Sequence, residues 1–272
     1  MKVVFFDAYN LIYRAKHSTP PYLKDSDDGI VYTFFRSFAA LYRRLAPDLS
    51  FFVIEGTPVQ RLKLHPEYKG TRKREIDISF SRQKNEIIEL IAEAFPVSVV
   101  RHPDFECDDV IGHLVHQYPH PNTCVVASTD TDFLQLANSC DNFSQYDPIR
   151  KIYKDLPTFN YVGWKALRGD ASDNISGFKG IGDKRALKLI SSDDVLEEFL
   201  DKPGNRERYE KNLELISFHD VSKKQEGITF SPAVGNWDYI KSIFSTKGFS
   251  SITKEGSWEK FVNSFGGNNG TT

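Results

Sequence analysis

Three short apolar runs each lead into an acidic residue, and this pattern constrains the fold more than any other feature of the chain. They are Lys2–Asp7 (KVVFFD), Ser50–Ile54 running into Glu55, and Thr123–Ala127 running towards Asp130. Continuous apolar runs of this length suit strands buried on both faces. A further strand is expected over Val97–Val100. Between the strands the apolar spacing changes to three and four, predicting helices over Ala8–His17, Val31–Leu45, Arg82–Phe95 and Asp108–Gln117. Strands alternating with helices imply an α/β fold, a mostly parallel central sheet flanked by helices and joined by right-handed crossovers. Sites in such sheets lie beyond the carboxyl ends of the strands. Residues 1–160 read as this core. From about Tyr161 helices dominate through Leu215, so 161–272 reads as a helical region, with Gly227–Asn236 a loop and Gly266–Thr272 a frayed tail.

Nine carboxylates fall at strand ends or in the turns after them: Asp7, Glu55, Glu106, Asp108, Asp109, Asp130, Asp132, Asp170 and Asp173. Two like charges ~4 Å apart repel by roughly 4 kcal/mol at an effective dielectric of ~20. If the fold gathers these acids, cations must neutralise them, and hard ions such as Mg²⁺ or Mn²⁺ suit oxygen donors. Each cluster also has a plainer reading. Asp7 can be a helix N-cap. Glu106 and Asp109 share one face of an opening helical turn and can simply match its dipole. Asp130 and Asp132 can serve a local turn. A phosphatase with an aspartate nucleophile would need a second Asp two residues after Asp7, where Tyr9 stands.

The net charge is −2, but it is +7 without those nine acids. The surplus is concentrated in two places. Arg61–Arg74 carries Arg61, Lys63, Lys69, Arg72, Lys73 and Arg74 against Glu67, and Lys179, Lys184, Arg185 and Lys188 surround a glycine-rich turn. Basic stripes beside a carboxylate cluster favour a polyanionic substrate over a merely solvated surface. Lys69–Ser79 has no core-facing period and reads as an exposed, mobile insertion; Tyr68, adjoining Lys69, is placed either to stack on a splayed base or to anchor the loop.

Gly169–Ile190 (GDASDNISGFKGIGDKRALKLI) is the most specific segment. Asp170 and Asp173 can face the same way across a turn, and Gly177, Gly180 and Gly182 permit a tight hairpin before a basic helix. A hairpin between helices at about 163–190 exposes backbone N–H groups that suit a phosphate oxygen. A glycine-rich C-cap between packed helices is the plainer alternative.

Composition narrows the class further. Forty per cent of residues are hydrophobic, with 21 Phe and 12 Tyr, enough for a proper core. No run has the ~20 apolar residues of a membrane span, and no signal-peptide layout is seen. Cys107, Cys124 and Cys140 stand at unrelated spacings, giving neither a zinc pattern nor a disulfide framework, and a reducing cytoplasm is the default. The histidines form no ligand spacing.

Taken in order, VVFFDAYNLIYRA, EYKGTR, FECDD, STDTDFLQL and GDASDNISGFKGIGDKRA resemble the motif series of the 5′-nuclease (flap endonuclease) family. That family includes the nuclease domain of bacterial DNA polymerase I and stand-alone phage 5′→3′ exonucleases. The resemblance runs from Lys2 to about Ile190, and with no polymerase domain following it is to the stand-alone form. It implies a PIN-like core, a helical arch over about 69–95 and a C-terminal helix–three-turn–helix. It also implies two metal sites. Asp7, Glu55, Glu106 and Asp108 would form the first, with Asp109 close to both, and Asp130, Asp132, Asp170 and Asp173 the second. Lys69 and Arg72 would be the catalytic basic pair. Tyr68, Lys73, Arg74, Gly177, Lys179, Gly180, Gly182, Lys184 and Arg185 would meet DNA, and backbone carbonyls of the hairpin would bind K⁺. The family usually has Asp where this chain has Glu55, which moves a ligand oxygen by about one methylene.

The implied activity is structure-specific 5′→3′ exonuclease and flap endonuclease cleavage of DNA at a flap, overhang or nick, in replication or DNA degradation. A monomer is expected, with a polymerase or single-strand-binding protein as possible company, in the host cytoplasm if phage-encoded. Two alternatives stay open: a related nuclease that removes RNA from RNA–DNA hybrids, and a non-catalytic junction binder.

Overall fold

The computed structural model describes residues 1–72 and 77–266. The central sheet has seven strands in the order β6-β5-β4-β1-β2-β3-β9. These are β1 (Lys2–Asp7), β2 (Leu49–Ile54), β3 (Ser98–Arg101), β4 (Thr123–Ala127), β5 (Phe143–Asp147), β6 (Ile152–Tyr153) and β9 (Thr229–Ser231). A separate two-stranded ribbon pairs β7 (Gly169–Asp170) with β8 (Ile175–Ser176). The five inner strands are parallel; the edge strands β6 and β9 run antiparallel to their neighbours.

β1 is central because Val3, Val4, Phe5 and Phe6 are fully buried and have covered faces on both sides. On one face pack α1 (Ala8–Ser18), α2 (Gly29–Leu45) and α4 (Ile78–Ala94), through Leu11, Phe34, Phe38, Ile87 and Ile91. On the other lies α5 (Cys107–His116), with Val110, Ile111 and Val115 against Phe5, Phe51 and Val126. The short α3 (Val59–Leu64) joins this core to a helical region of α6 (Tyr161–Arg168), α7 (Asp183–Ile190), α8 (Asp193–Leu200) and α9 (Asn205–Ile216), which has its own apolar cluster.

The chain runs β1, β2, β3 to one side, then returns to place β4 on the other side of β1. The crevice beyond the carboxyl ends of β1 and β4 is therefore the topological switch point of the sheet.

Three sequence expectations need correction. The segment read as a loop, Gly227–Asn236, contains β9, which pairs with β3 over Val99↔Ser231 to Arg101↔Thr229; three residues are too few to show a period. Second, the chain after 236 does not extend the helical region. Helices α10 (Trp237–Thr246), α11 (Ser250–Thr253) and α12 (Ser257–Asn263) return to the α/β core, where Ile240, Phe244, Phe261 and Phe265 join the cluster of Phe35 and Phe95. Third, α4 starts at Ile78 rather than Arg82, because Asp77 caps it by accepting from the Phe80 N–H at 2.8 Å. Of the arch expected over about 69–95, the stretch from Ile87 on is core helix, and residues 73–76 lie outside the described part. No helix among the described residues is long and apolar enough to cross a membrane.

Candidate active site

Strand ends and turns deliver the acids. Asp7, the last residue of β1, accepts from the Asn10 N–H (3.1 Å) and the Ser128 hydroxyl (2.8 Å). Its helix-cap and cluster readings thus hold together. Glu55 follows β2 and accepts from the Cys107 N–H at 3.0 Å. Glu106 is the N-cap of α5 in a capping box with Asp109. Ser128 and Thr129 carry the chain from β4 to Asp130, and Asn10 clamps that turn, donating to the Thr129 hydroxyl (2.7 Å) and accepting from its N–H (3.2 Å). The β7–β8 ribbon presents Asp170 and Asp173.

The acids come together in two groups. Oxygens of Asp7 and Asp108 lie with the Cys107 Sγ within 4.8 Å of one another, as do oxygens of Asp132, Asp170 and Asp173. Tyr68 spans the groups: its buried hydroxyl lies 3.0 Å from Glu106 and 2.9 Å from Asp173, its one proton shared between the two carboxylates. It is therefore not the exposed stacking platform considered from the sequence. Lys69, in the left-handed region at φ +55°, points its ammonium at Glu106 and stands 3.8 Å from Asp173. Arg72 pairs with Asp173 at 2.6 Å. The turn bearing both is pinned to the ribbon, since the Lys69 N–H donates to the Asp173 carbonyl at 3.0 Å and Asn174 Nδ2 to the Glu67 carbonyl at 2.9 Å. Lys73 and Arg74 lie outside the described residues.

Two functional cations are additions to the sequence reading. Arg61, counted there as part of a surface stripe, is buried. It grips Asp109 bidentately (2.7 and 2.8 Å), reaches Glu106 at 2.8 Å, and donates to the carbonyls of Leu215 and Ser217, each at 2.9 Å. Asp109 also accepts from the His219 N–H at 2.8 Å, so both its oxygens are engaged by protein donors. Lys165, on α6, is buried with its ammonium against Asp132 and 2.6 Å from Asp170. Its signal in the sequence was a lysine at helical spacing from the buried Tyr161, easily taken for a solvated face.

The electrostatics mark where cations are missing. Asp7, Glu55, Asp108 and Asp130 have no cationic partner among the described residues. Burial, with Asp130 nearby, raises Asp7 to about 6. Burial and the Glu106 charge raise Glu55 to about 7. Burial beside Asp130 and Glu55 pushes Asp108 well above the carboxylate range. Burial lifts Asp132 to about 6 despite Lys165. Asp170, although burial opposes it, is held near about 2 by Lys165 and Ser172. For Lys69, burial works to lower the pKa, but Glu106 and Asp173 outweigh it and raise it. Buried oxygen donors with unfavourable charge are what a hard divalent ion relieves, so the residues fit such ions.

A prediction follows for the metal-free protein. Carboxylates with raised native pKa values stabilise the fold below their unfolded pKa and lose that contribution as pH rises through the native one. Asp7, Asp132 and Glu55 should therefore erode stability between about pH 4 and about pH 7; Asp170 acts oppositely, losing its contribution as pH falls towards about 2. Thermal melts in a chelator should show Tm falling across that window, and Mg²⁺ or Mn²⁺ should restore it above pH 7. A melting curve insensitive to metal at pH 8 would contradict this.

Beyond Asp173 the ribbon leads straight into the hairpin. A Cβ on Gly177 would lie 2.1 Å from the Arg168 carbonyl oxygen, and Gly180 adopts φ +77°. Gly182 caps α7 with open space where a side chain would stand. Lys179, Lys184, Arg185 and Lys188 are exposed around it.

Residues 2–160 match the family described as 5′-3′ exonuclease, N-terminal resolvase-like domain. The chain belongs to this family. It is 31% identical over 201 residues to DNA polymerase I of Treponema pallidum, covering 68% of this chain and 20% of that one. A 5′-3′ exonuclease of Mycoplasmopsis pulmonis is 27% identical over 209 residues, covering 74% and 69%. The chain thus spans about a fifth to a quarter of the length of the DNA polymerase I relatives. In structure it resembles the T5 5′-exonuclease with divalent zinc ions bound, at a TM-score of 0.58 and 21% identity over 97% of this chain and 98% of that one. The catalytic core of Rad2 in complex with a DNA substrate matches at 0.55 and 17% identity, over 93% and 90%. These likenesses bear out the PIN-like α/β fold expected from the sequence.

Proposed function

We propose that this protein is a structure-specific 5′ nuclease, hydrolysing DNA phosphodiesters near the 5′ end of a strand at a flap, overhang or nick with the aid of two Mg²⁺ or Mn²⁺ ions. The observation that carries the reading is the convergence, at the switch point of the sheet, of acids from four separate segments into two groups, one of which continues directly into a basic glycine hairpin. Asp7, Glu55 and Asp108 would hold the first ion, joined by Asp130, which was expected in the second site but lies beside Asp7 and Asp108; Asp132, Asp170 and Asp173 would hold the second. Glu106 and Asp109 sit behind, held by Arg61, Tyr68 and Lys69. Bound there, the ions would lower the pKa of a water nucleophile and stabilise the attacking and leaving oxygens.

The chain's own residues supply the rest. Lys69 and Arg72 bring positive charge to the scissile phosphate and keep it charged at any working pH, because their carboxylate partners raise both pKa values over the opposing effect of burial. Tyr68 fixes the spacing of the two groups through its shared proton. The hairpin Gly177–Gly182 with Lys179, Lys184 and Arg185 grips the duplex backbone, where its carbonyls also suit K⁺. Within the arch expected over about 69–95, residues 69–72 and 77–86 would border the path of the single-stranded 5′ end. Replication proteins such as a polymerase are fitting partners in flap removal.

The test is digestion of a 5′-labelled flap and a 5′-labelled nicked duplex, with DNA and RNA 5′ strands, with and without Mg²⁺. Short 5′-phosphorylated products released only with metal are expected; junction binding without turnover in Mg²⁺ or Mn²⁺ would refute the proposal. Lys69→Ala should lower kcat by about 10²–10³-fold, as for loss of one charge-stabilising donor, read by single-turnover cleavage. Replacing Lys184 and Arg185 together by Ala should weaken duplex binding equally for all sequences and reduce the salt slope by about 2, one per phosphate contact, measured by binding titrations at several salt concentrations.

A further inference from the structure

Cys107 is the one soft donor in either acid group. It opens α5 with its side chain buried among the first group, Sγ within 4.8 Å of oxygens of Asp7 and Asp108, while the Asp132–Asp170–Asp173 group is all oxygen. Its backbone N–H holds Glu55 at 3.0 Å, so residue 107 is fixed relative to a third acid through a bond that side-chain changes leave in place. The other two cysteines are engaged elsewhere: the Cys124 thiol donates to the Val115 and Tyr118 carbonyls, and Cys140 faces His116 at 3.3 Å. Thiolate prefers soft and borderline ions, whereas carboxylate alone favours Mg²⁺ and Mn²⁺. Three protein donors are what a zinc-type ion with one open position takes, and Asp7, Cys107 and Asp108 supply that number.

We propose that Cys107 makes the first group a mixed oxygen–sulfur site that captures thiophilic divalent ions, Cd²⁺ or Zn²⁺, and so shuts out the hard ion used for cleavage. This rests on reading the acid groups as metal sites. In the capture step the Sγ–H bond breaks, its proton leaves to solvent and an Sγ–metal bond forms, with no change of oxidation state. The consequence is inhibition by such ions in competition with Mg²⁺, through a donor that an all-carboxylate site lacks.

The experiment is a Co²⁺ titration of the full chain followed by thiolate-to-cobalt charge-transfer absorption in the near ultraviolet, for the wild type, Cys107→Ala and Cys107→Ser. Binding of Cd²⁺ and Mn²⁺ is measured calorimetrically on the same proteins, and circular dichroism checks that each is folded. The wild type should develop the band and both variants should lack it. Cd²⁺ affinity should fall about tenfold or more in the variants, as for loss of a metal-site contact, with Mn²⁺ affinity changing far less. Co²⁺ binding without the band in the wild type, or a band that persists in both variants, would overturn the assignment of Cys107 and leave the hard-metal sites standing. Failure of the wild type to bind Mn²⁺ or Co²⁺ at all would overturn the metal reading and this inference with it.

Discussion

Asp170→Asn is expected to lower flap cleavage by about 10²–10³-fold, the equivalent of roughly 3–4 kcal/mol of transition-state stabilisation. The carboxylate is held at about 2 against the effect of burial by Lys165 and Ser172. Asparagine keeps its shape and its acceptor for the Ser172 N–H, but removes the charge that both Lys165 and a bound cation would use. The hairpin residues are untouched, so junction binding in a chelator should change little. Asp130→Asn should behave alike from the other side of the site. Single-turnover cleavage with saturating enzyme separates the chemical step from binding, and undiminished cutting by both variants would remove these acids from the reaction.

Arg61→Ala should cost about 3–5 kcal/mol of unfolding free energy, the range for removing one partner of a buried ion pair. The guanidinium ties α3 to Glu106 and Asp109 at the start of α5 and to the carbonyls of Leu215 and Ser217 at the end of α9. Its loss leaves Asp109 without a cation, Glu106 with Lys69 alone, and two carbonyls without a donor. Arg61→Lys should recover little, because one ammonium cannot reproduce a bidentate contact with Asp109 and three further bonds. Urea unfolding gives the measurement. A DNA-contacting arginine would instead change the salt dependence of binding and leave stability unaltered, which is the opposite pattern.

The contrast between Arg61 and Lys184 shows what a basic stripe in a sequence conceals. Both stood in clusters that suggested polyanion binding, yet Arg61 is buried while Lys184 is exposed. Of the stripe Arg61–Arg74, Arg61, Lys69 and Arg72 are turned towards the acids, while Lys63 is exposed. Tyr68 was misjudged for the same reason: a polar neighbourhood in sequence looked like a surface, whereas Glu106 and Asp173 surround its hydroxyl in space. Lys165 was passed over because a single lysine in a short helix carries no local mark of burial. By contrast, β1, β2 and β4 with their terminal acids were legible, since strands buried on both faces must be apolar throughout and whatever ends them is conspicuous. The short β9 and the return of α10–α12 to the core were not, because neither has a period long enough, or a composition distinctive enough, to name its partner.

The sequence by itself determined the alternation of strands and helices, the placing of acids beyond strand ends, and the glycines that the hairpin backbone requires. These are properties of neighbours within a few residues, governed by period, propensity and allowed backbone angles. Only the tertiary structure decided which acids are already neutralised by Arg61, Lys69, Arg72 and Lys165 and which remain uncompensated. That division depends on distances between residues as much as a hundred positions apart, and charge interactions are set by separation in space and by burial, neither of which is written in the order of the chain.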